Sequence, residues 1–315
     1  MAIAEAHLGA GYNRKGFEVV DHCVFVLCSD GDLMEGASHE AASLAGHLGL
    51  GKLICIYDDN RITIEGETGL ALSDEAGMRF EGYGWHVQNL EDKANDLTLL
   101  EKALRRAQEK QSRPSLIILR SHIAFGAPNK QDTAEAHGAP LGEEEVRLTK
   151  RAYGWPEDQV FFVPERALSH MREAIGRGRD LQAEWNGLFA AYKKVHPEMA
   201  AQFEAALKGD PPPGWDADLP AFAPGDGPIA TRAASGKVLN SIAANIPWLI
   251  GGSADLAPST NTLTKASGDF AKGRYKNRNM HWGVREHAMC AACSGMALHG
   301  GMRPYAASFF VFTDY

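Results

Sequence analysis

Two short apolar runs, each stopped by acidic or amide residues, limit what this chain can fold into. The first, Cys23–Cys28, ends at Ser29-Asp30-Gly31-Asp32, and the second, Leu53–Tyr57, ends at Asp58-Asp59-Asn60. Between them Ala37–Leu50 is an alanine- and leucine-rich segment that reads as a helix. The runs are far too short to cross a membrane. They also lack the alternation of a half-buried strand, so they read as strands of a parallel sheet buried on both faces and joined by a crossover helix. In such a unit both strands end at the same sheet edge, where ligands bind. Asp30 and Asn60 therefore occupy equivalent places. A carboxylate and an amide oxygen converging there are hard donors suited to Mg²⁺ or Ca²⁺. The helix after Gly36 would aim its N-terminus at that edge and favour a phosphate. The plainer reading is that Asp-Gly and Asp-Asn are ordinary turn residues.

The same alternation continues downstream. Met1–Tyr12 reads as a helix, as do Asp74–Gly82 and Leu97–Lys110, the last with Asp96 as its N-cap. Trp85–Gln88 and Ser115–Leu119 read as strands, which makes the first part a doubly wound α/β domain. His122–Pro140 is a polar loop at the ligand edge, and Glu143–Lys150 and Pro164–Lys208 read as amphipathic helices. Gly209–Pro228 is rich in proline and glycine and reads as a linker. The expected division is thus 1–208, a linker over 209–228, and a second α/β domain over 229–315. That second domain restarts with a helix over Thr231–Asn245 and a strand over Trp248–Gly251. A helix over Arg285–His299 and a strand over Tyr305–Phe312 complete it.

Composition narrows the function. With 40 acidic against 32 basic residues the net charge is −8, and no basic block marks a nucleic-acid partner. Five scattered cysteines suit a reducing compartment better than a disulfide framework. Cys290 and Cys293 form a lone CxxC, a weak metal signal, and read as small residues on a packed helix. No window has the length of a membrane span and no secretory pattern opens the chain, so a cytoplasmic location is expected.

DGDLMEG followed at a distance by DDNRITIEG resembles the thiamine-diphosphate-binding motif, and the intervening SHEAASLAGHLGLGKL resembles transketolases in particular. The family motif usually begins Gly-Asp-Gly, whereas Ser29 precedes Asp30 here. The resemblance continues through IAFGAPNKQDTAEAHGAPLG, IATRAASG, GGSADLAPS and HWGVREHAMCAACSGMALHGG. It implies a thiamine-diphosphate-binding fold followed by an incomplete second domain of the same class. It also implies a reaction, transfer of a two-carbon ketol unit from a ketose phosphate to an aldose phosphate in the pentose phosphate pathway.

By the same resemblance Asp30, Asn60 and the Ile62 carbonyl hold Mg²⁺, for which Ca²⁺ could substitute, and Gly31 lets the diphosphate approach. His137 contacts diphosphate and substrate. Glu286 is the catalytic carboxyl on the pyrimidine ring, with Phe309, Phe312 and Tyr315 packing on that ring. Arg232 and Ser259 take the sugar-phosphate end, and Asp255 and Leu256 lie near the thiazolium. The resemblance further implies a homodimer with its sites at the interface. Family chains are about twice as long, with three domains of ordinary size. This chain alone is therefore expected to be inactive, or to act as a non-catalytic or split-gene half that binds a partner subunit. A reading from another class is an Mg²⁺-dependent phosphohydrolase using Asp30 as nucleophile.

Overall fold

The alternation of apolar runs and helical segments produces six strands and eleven α-helices among the described residues, 1–314, of a computed structural model. They fall into two units. One comprises Phe25–Ser38 and Leu53–Gly187, and the other Met1–Val24, His39–Lys52 and the chain from Leu188 onward. Tyr315 lies outside the described residues.

The first unit is built on a four-stranded sheet. Its strands are β1 (Val24–Ser29), β2 (Leu53–Asp59), β3 (His86–Asn89) and β4 (Ser115–Arg120), in the order β1-β2-β4-β3. β4 pairs in parallel with both β2 and β3, with Ile56 opposite Ile117 and Gln88 opposite that same residue. Ile54, Leu116 and Ile117 are completely buried, as expected of runs covered on both faces. β1 departs from that expectation. Among the described residues it is an edge strand, hydrogen-bonded only to β2, and Phe25 and Leu27 stay 50% and 80% exposed. The unit's helices are the short α2 (Asp30–Met34) directly after β1, then α4 (Ala76–Gly82), α5 (Leu97–Glu109) and α6 (Glu143–Ala152). α5 begins where Asp96 accepts the Leu99 N–H at 2.9 Å, and it buries Ala103 and Ala107. α3 (Gly36–Leu48) and the long α7 (Glu165–Val195) each pass from one unit into the other.

In the second unit α1 (Ala2–Tyr12) is buried along Ile3, Ala4 and Leu8. α8 (Pro197–Lys208) starts with proline in its first turn and ends at Gly209 in the left-handed conformation, the usual sequence signals for both ends. The Tyr12 and Phe203 rings meet at 4.9 Å, and Tyr192 Oη donates to the Tyr12 carbonyl at 2.7 Å. Gly209–Pro228 carries a single 3₁₀ turn, Pro224–Asp226. Beyond it come α9 (Thr231–Asn245), β5 (Leu249–Ser253), the one-turn α10 (Ala257–Thr260), α11 (Glu286–His299) and β6 (Arg303–Ala307). β5 and β6 pair in parallel, and the backbone at Arg278–Met280 runs along the other side of β5. The strand expected over Tyr305–Phe312 stops at Ala307. Phe310–Asp314 is a 3₁₀ helix instead, and a three-residue aromatic spacing suits its three residues per turn.

Candidate functional site

The ends of β1 and β2 meet as the two apolar runs imply, but Asp30 is not a loop residue. It is the first residue of α2, whose start is fixed by Asp32 accepting from the Ser29 N–H at 2.8 Å and the Ser29 hydroxyl at 3.0 Å. Serine in place of the family's usual glycine thus adds a hydroxyl that donates to Asp32 beside the backbone N–H. Asp30 is 2% exposed. Its Oδ1 accepts from Tyr57 Oη at 2.6 Å and its Oδ2 from the Arg61 N–H at 3.0 Å. Burial raises the Asp30 pKa, while these two donors work in the opposite direction.

The turn after β2 is shaped to deliver that second donor. Arg61 takes a positive φ of 64°, a conformation costly for a residue with a side chain. The chain then folds back, with the Thr68 N–H on the Arg61 carbonyl at 2.9 Å and the Thr63 N–H on the Gly66 carbonyl at 2.7 Å. Asn60 is buried, and its Oδ1 accepts the Ile62 N–H at 2.9 Å. Ile62 is buried as well.

These pieces border a cleft of about 530 Å³, lined by Gly31, Asp32, Asn60, Ile62, Glu67 and His137 among others, with Asp30 buried behind it. His137 ends the 3₁₀ turn Ala134–Ala136 and is exposed on the cleft wall. A Cβ added at Gly31 would meet nothing within 4 Å, so the chain's own packing does not demand glycine there. The open space instead leaves the backbone accessible to a ligand. A carboxylate, an amide and a backbone carbonyl are the kinds of oxygen donor that suit a hard divalent cation. Among the described residues no cluster of three or more His, Cys, Asp or Glu could hold a metal. A single carboxylate suits Mg²⁺, which takes its remaining ligands from phosphates and water.

The other expected site residues stand in the second unit. Glu286 opens α11, half-buried, and the Ala288 N–H two residues on is accepted by Glu40 Oε2 at 2.9 Å. Arg285 fixes the entry to this helix, donating to the Trp282 carbonyl at 3.0 Å and to Ser43 Oγ at 3.3 Å. Arg232 near the start of α9 and Ser259 in α10 are exposed. Asp255 is exposed too, with a positive φ of 61°. The Phe309 and Phe312 rings stack at 6.2 Å, while Tyr315, expected to join them, lies outside the described residues. Cys290 and Cys293 are free thiols on α11, one exposed and one half-buried.

Tyr57, Arg61 and Glu40 escape a reading of the sequence. Tyr57 hides inside an apolar run, Arg61 acts through its backbone, and Glu40 through a contact distant in sequence. A lone phenol at the end of a β-strand run was the one available signal.

Residues 1–212 match the family model described as transketolase, thiamine diphosphate binding domain, and residues 227–315 match transketolase, pyrimidine binding domain. A transketolase of Geobacillus stearothermophilus is 49% identical over 316 aligned residues, covering 100% of this chain and 47% of the relative. The chloroplastic transketolase-1 of Arabidopsis thaliana is 45% identical, with 100% and 42% covered. The crystal structure of a Pichia stipitis transketolase complexed with sedoheptulose 7-phosphate superposes with a TM-score of 0.97 at 39% identity. It covers 100% of this chain and 47% of that one. The chain therefore spans about half the length of the curated relatives it matches. With both family domains matched in order along its length, the chain belongs to the transketolase family.

Proposed function

We propose that this chain contributes to ketol transfer between sugar phosphates, binding thiamine diphosphate and Mg²⁺ at the cleft beside Asp30. The observation that carries this reading is buried Asp30, whose neighbour Gly31 lines an open cleft together with buried Asn60 and Ile62. When bound, thiamine diphosphate supplies the nucleophilic carbon and the electron sink for breaking and remaking a carbon–carbon bond. Every other task falls to the protein. Asp30, Asn60 and the Ile62 carbonyl hold the metal, for which Ca²⁺ could stand in, and Gly31 gives the diphosphate room. His137 hydrogen-bonds to phosphate and substrate oxygens from the cleft wall. Glu286 holds a proton at N1′ of the pyrimidine, and Phe309 and Phe312 pack on its ring. Arg232 and Ser259 bind the sugar-phosphate end, where a guanidinium offers paired donors to phosphate oxygens.

We read these two sets of residues, which lie in different units, as completing each other's sites across a homodimer. The division at 209–228 belongs to the same reading. Among the described residues no helix is long and apolar enough to cross a membrane. Cys28, Cys55, Cys290 and Cys293 are thiols, which supports a reducing compartment such as the cytoplasm. A phosphohydrolase is less well supported, because among the described residues no lysine lines the cleft to steady a departing phosphate.

The test is calorimetric titration of the purified chain with thiamine diphosphate and Mg²⁺. Saturable heat that needs the metal and disappears in Asp30→Ala is expected. A folded chain that gives no heat would overturn binding by this chain, whatever its family.

A further inference from the structure

The second unit holds another cleft, of about 630 Å³, lined by none of the residues assigned above to ketol transfer. Arg14, Lys276, Arg278 and His7 line it, with Trp248 and Asn277, and none of its lining residues is Asp or Glu. In a chain with 40 acids and 32 bases, a wall with three permanent cations and no acid stands apart. The guanidinium hydrogens go to neutral groups. Arg14 donates to the Gly11 and Asn13 carbonyls at 3.1 and 2.7 Å and to Met199 Sδ at 3.0 Å. Arg278 donates to the Ile246 and Ala243 carbonyls at 2.9 and 3.0 Å.

Those carbonyls sit at the C-terminal ends of α1 and α9, where each helix dipole supplies roughly half a negative charge. About two of the three positive charges are therefore left over. Among the described residues none of the three side chains forms an ion pair. Burial lowers the pKa of Arg278, the direction expected of a cation drawn from water without a counterion. An isolated cation held this way is costly, and an anion entering the cleft would relieve it.

We propose that this cleft is a binding site for a small phosphate-bearing anion, separate from the thiamine diphosphate cleft and from Arg232 and Ser259. The excess charge matches a phosphate dianion, and Trp248 and Met199 offer apolar surface to the rest of such a molecule. His7 is a built-in reporter. It is 7% exposed, and its Nδ1 pairs with the Tyr275 carbonyl at 2.8 Å, so that nitrogen carries the proton and Nε2 is left unprotonated. A dianion nearby would raise the pKa of His7 against the opposing push of burial and of Arg278.

The experiment titrates the chain with inorganic phosphate in EDTA, without thiamine diphosphate, at an ionic strength held constant with chloride. The imidazole Cε1–H resonances of His7 and His137 are followed by NMR. Saturable movement of His7 with a rise in its pKa is expected. Lys276→Glu, at an exposed residue, should weaken phosphate affinity about tenfold and leave the melting temperature unchanged. A His7 signal that phosphate does not move, or moves equally in Lys276→Glu, would overturn the site. So would movement of His137 alone, which would put the ion in the other cleft.

Discussion

At the scale of single residues, the metal-site reading depends on what holds Asp30. A carboxylate 2% exposed keeps its orientation only if its oxygens have donors, and here they are one phenol and one backbone N–H. Asp30 and Asn60 were legible in the sequence because acidic and amide residues end two neighbouring apolar runs. Tyr57 was not, because a tyrosine in such a run reads as core. Tyr57→Phe removes the 2.6 Å hydrogen bond at almost no change in volume. It should cost about 1–3 kcal/mol in a denaturant melt. Groups that orient a metal ligand typically change metal affinity by about 10–100-fold, so Mg²⁺-dependent thiamine diphosphate binding should weaken at least about tenfold. A lower melt with unchanged affinity would reduce Tyr57 to a packing residue.

His7 gives a second prediction at this scale. Its pKa is lowered by burial, and further by Arg278, against the favourable Tyr275 carbonyl; the Phe270 ring stands beside it. The unfolded chain then binds a proton near the ordinary value of about 6.5 before the folded chain does. Stability from neutral His7 is present above that pH and is lost as the pH falls below it. In phosphate-free buffer the melting temperature should drop on acidification through this range. His7→Asn, which retains a donor for the Tyr275 carbonyl, should flatten the slope. An unchanged slope would assign the acid sensitivity to other groups.

At the scale of elements, the succession of strands and helices was legible in the sequence, but not which strands sit at an edge. β1 and β2 look alike as apolar runs, yet only β2 has neighbours on both sides, which is information about pairing and not about composition. The Phe309–Phe312 spacing carried its own correction, since a period of three fits a 3₁₀ turn and not a strand. The glycine pair of β5 shows local sequence answering to close approach. A Cβ at Gly252 would lie 1.9 Å from the Met280 carbonyl oxygen, and one at Gly251 would lie 2.1 Å from that of Tyr305. Backbone on both sides cannot rotate away as a side chain does. Gly252→Ala should therefore cost about 3 kcal/mol or more, at or above the usual range for overpacking. Gly31→Ala, with nothing within 4 Å, should leave the melt almost unchanged while impairing cofactor binding. Equal melting temperatures for Gly252→Ala and the parent would contradict this account of β5.

At the scale of the whole molecule, the assignment of site residues to units makes a prediction about oligomers. Gly31, Asn60, Ile62 and His137 border a cleft inside the four-stranded unit. Glu286, Phe309 and Phe312 belong to the other unit. If two copies complete each other's sites, cofactor binding should slow amide exchange in two stages. In dilute solution, where sedimentation reports a monomer, thiamine diphosphate with Mg²⁺ should protect the segments around 30–34, 60–70 and 134–137 alone. Local opening there becomes costlier when a ligand occupies only the closed form. At concentrations where sedimentation reports a dimer, protection should spread to the first turn of α11 and to Phe309–Phe312. Aspartate-to-alanine substitution at position 30 should abolish both stages, because the second depends on a cofactor already held by the first. Protection of both sets in the monomer would instead mean that one copy closes the site by itself, and the interface reading would fall while the cofactor reading stood.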